Sequence, residues 1–228
     1  MTNILEEFKM KLSFPKEIHE IADIINDAGY SLYSMGGSIR NQVLKMPVND
    51  YDLDTDAPEE VVTKLFEVTA VLRRKLKTIV IIKYKDEIYE MCLITDKDYM
   101  EHFKKGDLTI NSMGYNISTD EFIDPLNGLQ DIKDQILRFT DYQRSICETG
   151  HSVNSVIRVF RFISLLGWDL EPRTLDAIKK FIQIYRVEKH QYIFCTEKYR
   201  QKILSGPYVE QAYELACELK INKNIFGK

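Results

Sequence analysis

The hydrophobic period changes near the middle of this chain, so the sequence must build two different kinds of layer. In the first part, LKTIVIIKY and EIYEMCLI carry β-branched and aromatic residues in runs of strand length, parted by the polar Lys85 and Asp86. They read as an antiparallel hairpin. From about residue 130 onward, LQDIKDQILRF, SVNSVIRVFRFISLLG, RTLDAIKKFIQIY and PYVEQAYELACELK space their apolar residues along one face of a helix. A mixed α/β part is therefore expected to lead into an all-helical part, with the boundary between Thr140 and Gly150 and domains over 1–140 and 141–228. A chain of 228 residues, 44% of them hydrophobic, can bury a core in each.

Within the first part, Ile18, Ile21, Ile24 and Ile25 recur at helical spacing between Pro15 and Ala28, and Gly29 follows as a C-cap. YSLYSM is a short strand. Gly36 and Gly37 then turn the chain into SIRNQVLKM, a helix in which Ser38 is expected to be the cap and Ile39, Val43 and Leu44 face inward. After Pro47 comes VNDYDLDTDA, and Pro58, Glu59 and Glu60 open the next helix.

The stretch VNDYDLDTDA places an acid at every second position, at Asp50, Asp52, Asp54 and Asp56. In a strand these carboxylates share a face, with Asp50 and Asp52 about 7 Å apart at Cα. Such a pair suits hard divalent cations, Mg²⁺ or Mn²⁺, which keep waters for a phosphate to displace. A calcium loop fails: the sixth and twelfth positions are Thr55 and Val61 counted from Asp50, or Ala57 and Thr63 counted from Asp52, where Gly and Glu are needed. Asp54 and Asp56 are expected to shape the turn after the strand. Glu90, the one charge inside IYEMCLI, is a candidate third carboxylate, with a water-facing strand position as its bland alternative.

The Gly36-Gly37 turn opens a helix N-terminus, where backbone N–H groups can hold phosphate oxygens. Its conjunction with Arg40 and the acidic strand points to nucleotide handling. The net charge of -4 excludes a uniformly basic surface, so contacts to nucleic acid must come from local clusters such as RRKLK, read as a helix face, or Lys104 with Lys105. Cys92, Cys147, Cys195 and Cys217 lie far apart, with no CxxC pair, which predicts neither a zinc site nor a disulfide framework. No apolar run approaches membrane-spanning length, so no membrane contact is expected and the cytoplasm is the expected compartment.

Taken in order, GGSIRNQVLKMPVNDYDLDTDAPEEV, GDLTINSMGYN, FIDPLNGLQDI and RVFRFISLLGWDLEP resemble the motifs of the class II CCA-adding tRNA nucleotidyltransferases and bacterial poly(A) polymerases. The likeness is strong over about residues 20 to 170 and weaker in TEKYRQKILSG. It implies an α+β fold: a polymerase β-like nucleotidyltransferase head with a mixed sheet and flanking helices, followed by a helical neck. It also implies that Asp50 and Asp52 bind the catalytic metals, with Glu90 as a third catalytic carboxylate. Gly36, Gly37 and Arg40 would hold the triphosphate, and Asp107 and Asn111 would support the nucleotide pocket. The implied reaction is attack of an RNA 3′-hydroxyl on the α-phosphate of a nucleoside triphosphate.

This chain departs from the family pattern at Asn41, where the family has an acid, and at Gly106, where it has an arginine. The neck is altered most. HSVNS, with His151, Ser152 and Ser155, replaces an Asp- and Arg-bearing motif that reads the incoming base, so base choice is expected to differ. Arg158 and Arg161 remain one turn on as contacts for base, phosphate or RNA, with helix packing as the alternative. Little chain follows the neck, so the family's body and tail are expected to be reduced. Two other readings stay open: a nucleotide- or RNA-binding homologue without catalysis, and transfer to a protein hydroxyl or a small molecule.

Overall fold

The computed structural model describes residues 12–74, 77–94, 99–142, 149–187 and 195–227, with the side chains of 149–152 and 185–187 also left outside the description. The chain forms two compact units. The first runs to Gly106 and resumes over Asn111–Gly128; the second takes Asp107–Ile110 and everything from Leu129.

The first unit is built on a seven-stranded sheet, ordered β3-β4-β5-β2-β1-β6-β7. Its strands are β1 (Leu32–Met35), β2 (Asp52–Thr55), β3 (Glu67–Arg74), β4 (Lys77–Tyr84), β5 (Glu87–Leu93), β6 (Gly114–Asn116) and β7 (Glu121–Ile123). Only β2 and β5 pair in parallel; every other neighbour is antiparallel. The expected hairpin is β4–β5, closed at Lys85, whose φ is 55°. The sheet is thus mixed, as the sequence resemblance implies.

Helix α1 (Lys16–Asp27) buries Ile18, Ile21, Ala22 and Ile25, and Gly29 takes φ +86° after it. Each fully buried isoleucine contributes roughly 1.5–3 kcal/mol. Ala22 supplies the fourth buried position and Ile24 is only half-buried, because the stripe follows 3.6 residues per turn. Helix α2 (Gly37–Val43) follows β1, and α3 (Glu59–Leu65) follows β2. The cap of α2 is Gly36, at φ +73°, without a side-chain cap bond. Ser38 instead lies inside the helix, 2.8 Å from the Ser34 hydroxyl and donating to the Met35 carbonyl. Its hydroxyl satisfies buried backbone rather than a helix end.

Two expectations about the basic cluster and the edge of the sheet are corrected. Arg73 and Arg74 end strand β3 and Lys77 begins β4, so these members of RRKLK lie on strands and not on a helix face. Strand β3 itself was not anticipated. It is an edge strand with alternating partial exposure and a bulge between Val68 and Ala70, so the burial signal that marks β4 and β5 is weak there. The short helix α4 (Tyr99–Phe103) packs Tyr99 and Phe103 onto Tyr33 of β1, with ring centroids 5.6 and 5.8 Å from it.

The second unit is helical: α5 (Gly128–Asp134), α6 (Thr149–Leu166), α7 (Pro172–Val187), α8 (Glu197–Leu204), α9 (Val209–Glu218) and α10 (Asn222–Phe226). A two-stranded parallel pair, β8 (Ile136–Leu137) with β9 (Asp169–Leu170), accompanies the helices. The apolar face of α6, with Val156, Val159, Phe160 and Ile163 at 2% exposure or less, packs against α8 and α9, and Ile178 and Phe181 of α7 and Ala212 and Ala216 of α9 are buried too. Gly206 presses against α6 so closely that a Cβ there would meet Ser164 Oγ at 2.1 Å. Among the described residues, no helix is long and apolar enough to cross a membrane.

Candidate active site

Strand β2 starts at Asp52, so the four acids do not share one strand: Asp50 precedes it and is exposed. Asp52 is also exposed, whereas Asp54 is 3% exposed. The turn that follows is shaped by Asp56, whose Oδ1 accepts the Ser31 N–H at 2.7 Å, and by Thr55, whose Oγ1 accepts the Ala57 N–H and donates to the Ser31 carbonyl. Asp54 takes no part in that turn, contrary to the expectation. It points instead to the face that carries Asp52, because residues two apart in a strand share a side.

The parallel register pairs Leu53 with Met91 and Asp54 with Cys92, which sets Glu90 one position before Met91 and level with Asp52. Glu90 is exposed. It is therefore no buried charge demanding a partner, yet it lies on the acid-bearing face. The Asp52 carboxyl is held above the usual carboxylate range, first by partial desolvation and then by the charges of Asp54, Asp50 and Glu90, with Lys77 opposing them. An excess of oxygen donors that repel one another suits a hard divalent cation, which would relieve the repulsion.

The glycine turn lies against this cluster. A methyl group built on Gly36 would sit 3.7 Å from Asp52 Oδ2 and 3.7 Å from the Asn111 carbonyl oxygen. One on Gly37 would sit 3.7 Å from Arg40 Nη2. Arg40 is 6% exposed. Its Nη1 donates to Asn111 Oδ1, and its Nε and Nη2 donate to Asn41 Oδ1 at 3.2 and 2.8 Å. Asn41 in turn donates to the Pro47 carbonyl at 2.8 Å. The amide at 41 thus accepts the guanidinium fork.

Gly106 has a steric reason. A Cβ there would meet Ser112 Oγ at 2.2 Å, so Ser112 occupies the space a side chain at 106 would need. Gly36, Gly37, Arg40, Asp50, Asp52, Glu90 and Asn111 all belong to the first unit.

The remaining expected residues belong to the second. Asp107, 4% exposed, accepts the Leu108 N–H on Oδ1 and the Arg158 guanidinium on Oδ2, each at 2.9 Å. The Asp107 charge raises the Arg158 pKa further above its ordinary value. Ser155 is 1% exposed, and Arg161 stacks its guanidinium 5.5 Å from the Phe162 ring. The side chains of His151 and Ser152 lie outside the described residues. A neighbouring set had no place in the expected site: Asp131 accepts from Thr109 at 2.6 Å and from Arg138 at 3.0 Å, which ties FIDPLNGLQDI to GDLTINSMGYN.

His102 was missed altogether. Its Nε2 lies 3.1 Å from Asp54 Oδ1, and Cys92 flanks the same carboxylate. The sequence signal was weak, because the three residues are spread over almost fifty positions. Burial, and then the Asp54 charge, push the Cys92 thiol up to about 12, so it is not a nucleophile at neutral pH.

A turn of glycines thus lies against an acidic strand, with a buried arginine in the next helix, on a seven-stranded mixed sheet. Residues 32–105 and 95–138 match the poly A polymerase head domain. The chain is 27% identical over 223 residues to the CCA-adding enzyme of Bacillus subtilis, covering 90% of this chain and 54% of that one. It is 29% identical over 218 residues to the CCA-adding enzyme of Geobacillus stearothermophilus, covering 87% and 52%. It spans about half the length of these curated relatives. The Bacillus stearothermophilus CCA-adding enzyme in complex with CTP shares the fold at a TM-score of 0.70, with 24% identity over 90% of this chain and 53% of that one. The Thermotoga maritima CCA-adding enzyme complexed with tRNA shares it at 0.74, with 16% identity over 98% and 56%.

Proposed function

We propose that this chain is a metal-dependent nucleotidyltransferase that transfers a nucleoside monophosphate from a nucleoside triphosphate to the 3′ end of RNA, tRNA or a tRNA-like molecule. The observation that carries the proposal is the convergence of Gly36, Asp52 and the Arg40–Asn111 pair in one unit, where a phosphate chain could meet both an arginine and a metal-binding acid. The curated relatives are CCA-adding enzymes, and solved relatives hold CTP or tRNA, which supports the substrate classes.

In this reading Asp50 and Asp52, with Glu90 beside them, hold a divalent cation, Mg²⁺ or Mn²⁺. When bound, such an ion neutralises phosphate charge and lowers the pKa of an attacking hydroxyl. Arg40 binds the triphosphate, fixed by Asn41 and Asn111 so that its orientation is set before substrate arrives. The Gly36 N–H is committed to the Met113 carbonyl at 3.0 Å, so phosphate oxygens use the first-turn amides of α2, which have no intrahelical acceptor. Absence of a side chain at 36 and 37 leaves the approach open.

Residues 1–140 act as the catalytic head and 141–228 as a helical neck. Arg158 fixes Asp107, and Arg161 is a proposed contact for RNA. In this reading His151 and Ser155 contact the incoming base, and altered base selection follows from them. The test is incubation of the protein with Mg²⁺, each labelled nucleoside triphosphate in turn and a pool of tRNA and short RNAs, beside the Asp50→Ala/Asp52→Ala double variant. Labelled RNA with the native chain and none with the variant supports the proposal. Binding of nucleotide without transfer to any RNA supports the non-catalytic or other-acceptor reading instead.

A further inference from the structure

Asp54, Cys92 and His102 present a carboxylate oxygen, a sulfur and an imidazole nitrogen that all lie within 4.8 Å of one another. They come from β2, β5 and α4, which the sheet register and the packing of α4 bring together. Asp54 and His102 side chains are 4% and 14% exposed. His102 engages Oδ1 of Asp54, but Oδ2 is sealed from solvent and has no hydrogen-bond partner. A buried carboxylate oxygen without a partner is costly, and a cation on that side removes the cost.

We propose that Asp54, Cys92 and His102 form a binding site for a divalent transition cation of the Zn²⁺ type, separate from the hard-cation acids Asp50 and Asp52. The donor set decides the metal: sulfur and imidazole favour Zn²⁺ over Mg²⁺, whereas Asp50, Asp52 and Glu90 offer oxygen alone. Three protein ligands leave a fourth position for water. Tetrahedral bonds to these atoms imply ligand separations of about 3.3–3.7 Å, so shifts on the order of 1 Å close the set. On binding, Cys92 Sγ loses its proton to solvent as the sulfur–metal bond forms, and Asp54 Oδ2 gains its missing partner. The site then cross-links two strands of the sheet to α4, the helix that carries Tyr99 and Phe103 onto Tyr33. This role does not depend on the nucleotidyl-transfer reading.

The experiment titrates the chelator-treated full chain with Co²⁺, a spectroscopic stand-in for Zn²⁺, and then with Zn²⁺. Expected are one equivalent of tightly bound Co²⁺ with a thiolate-to-cobalt charge-transfer band and tetrahedral visible bands, bleached by one equivalent of Zn²⁺. Zn²⁺ should raise Tm by at least about 4 °C. Cys92→Ser and His102→Ala should lose the charge-transfer band or weaken affinity at least about 10-fold. Asp52→Asn and Cys217→Ser should keep the band, which separates this site from the hard-cation acids and from the exposed thiol at 217. A folded native chain without the band overturns the proposal, as does a band that survives Cys92→Ser. Should the site variants fail to fold, X-ray absorption at the zinc edge of the native chain decides: one sulfur in the coordination shell supports the site, and a shell of oxygens alone overturns it.

Discussion

The acids of the two units differ in what balances them. In the second unit the buried acids lie against guanidinium groups: Asp107 holds Arg158, and Asp131 holds Arg138, which also lies 4.0 Å from Glu171. On the acid-bearing face of the first unit, the charges of Asp54, Asp50 and Glu90 repel Asp52, and Lys77 opposes them. Arg40, buried in the same unit, donates to Asn111 and Asn41. A protein keeps uncompensated charge where a ligand is to supply the compensation, and compensated charge where the structure itself needs it. The contrast supports the proposed cation and phosphate site on the first face, and a structural role for the second unit's pairs.

The strongest way to break this comparison is to remove the uncompensated acid. Asp52→Ala should reduce nucleotidyl transfer at least about 10³-fold in a primer-extension assay. Thermal melting without metal should show no loss of stability, because a repelled carboxylate is gone. A large drop in Tm with transfer retained would give Asp52 a structural role instead. The converse variant, Arg158→Ala, strands Asp107 in a buried position and should cost about 2–4 kcal/mol in urea unfolding, a figure at the low end if solvent reaches the vacated space. An exposed pair such as Arg73 with Glu59 should cost less than about 1 kcal/mol in the same assay.

Smaller effects sharpen the picture. Gly36→Ala puts a side chain at φ +73° and a methyl group near Asp52, so it should cost about 1–2 kcal/mol of stability and weaken triphosphate binding, read as a raised KM. The smallest effect concerns pH. A carboxyl whose folded pKa is raised binds its proton more tightly in the folded state. Its favourable contribution is therefore complete below the unfolded Asp value of about 4 and is lost as pH rises through the higher folded value. In metal-free buffer the native chain should lose more Tm across that window than Asp52→Asn does, and Mg²⁺ should narrow the gap. An identical pH profile for both proteins would remove Asp52 from the repelling cluster.

Much of the fold was legible because local pattern and burial agree. The β4–β5 hairpin, α1 with Gly29 behind it, and α6 ending before Gly167 all follow from periodicity and punctuation. Strand β3 escaped because an edge strand need not bury either face fully. Ser38 was misassigned because a serine beside a glycine turn can bond a helix end or buried backbone, and only the neighbouring Ser34 decides which.

The same division holds at the site. Sequence alone determined the chemistry within reach of single motifs: glycines before a helix, an arginine one turn in, and acids on the next strand. It could not determine that Asp54 would turn inward while Asp52 stays exposed, since both occupy the same face of one strand. Nor could it bring His102 to Asp54 or Cys92 level with it. Those outcomes depend on which strands become neighbours and where α4 lies across them. Contacts between residues far apart in sequence are set by the packing of whole elements, and that is fixed only when the sheet is assembled.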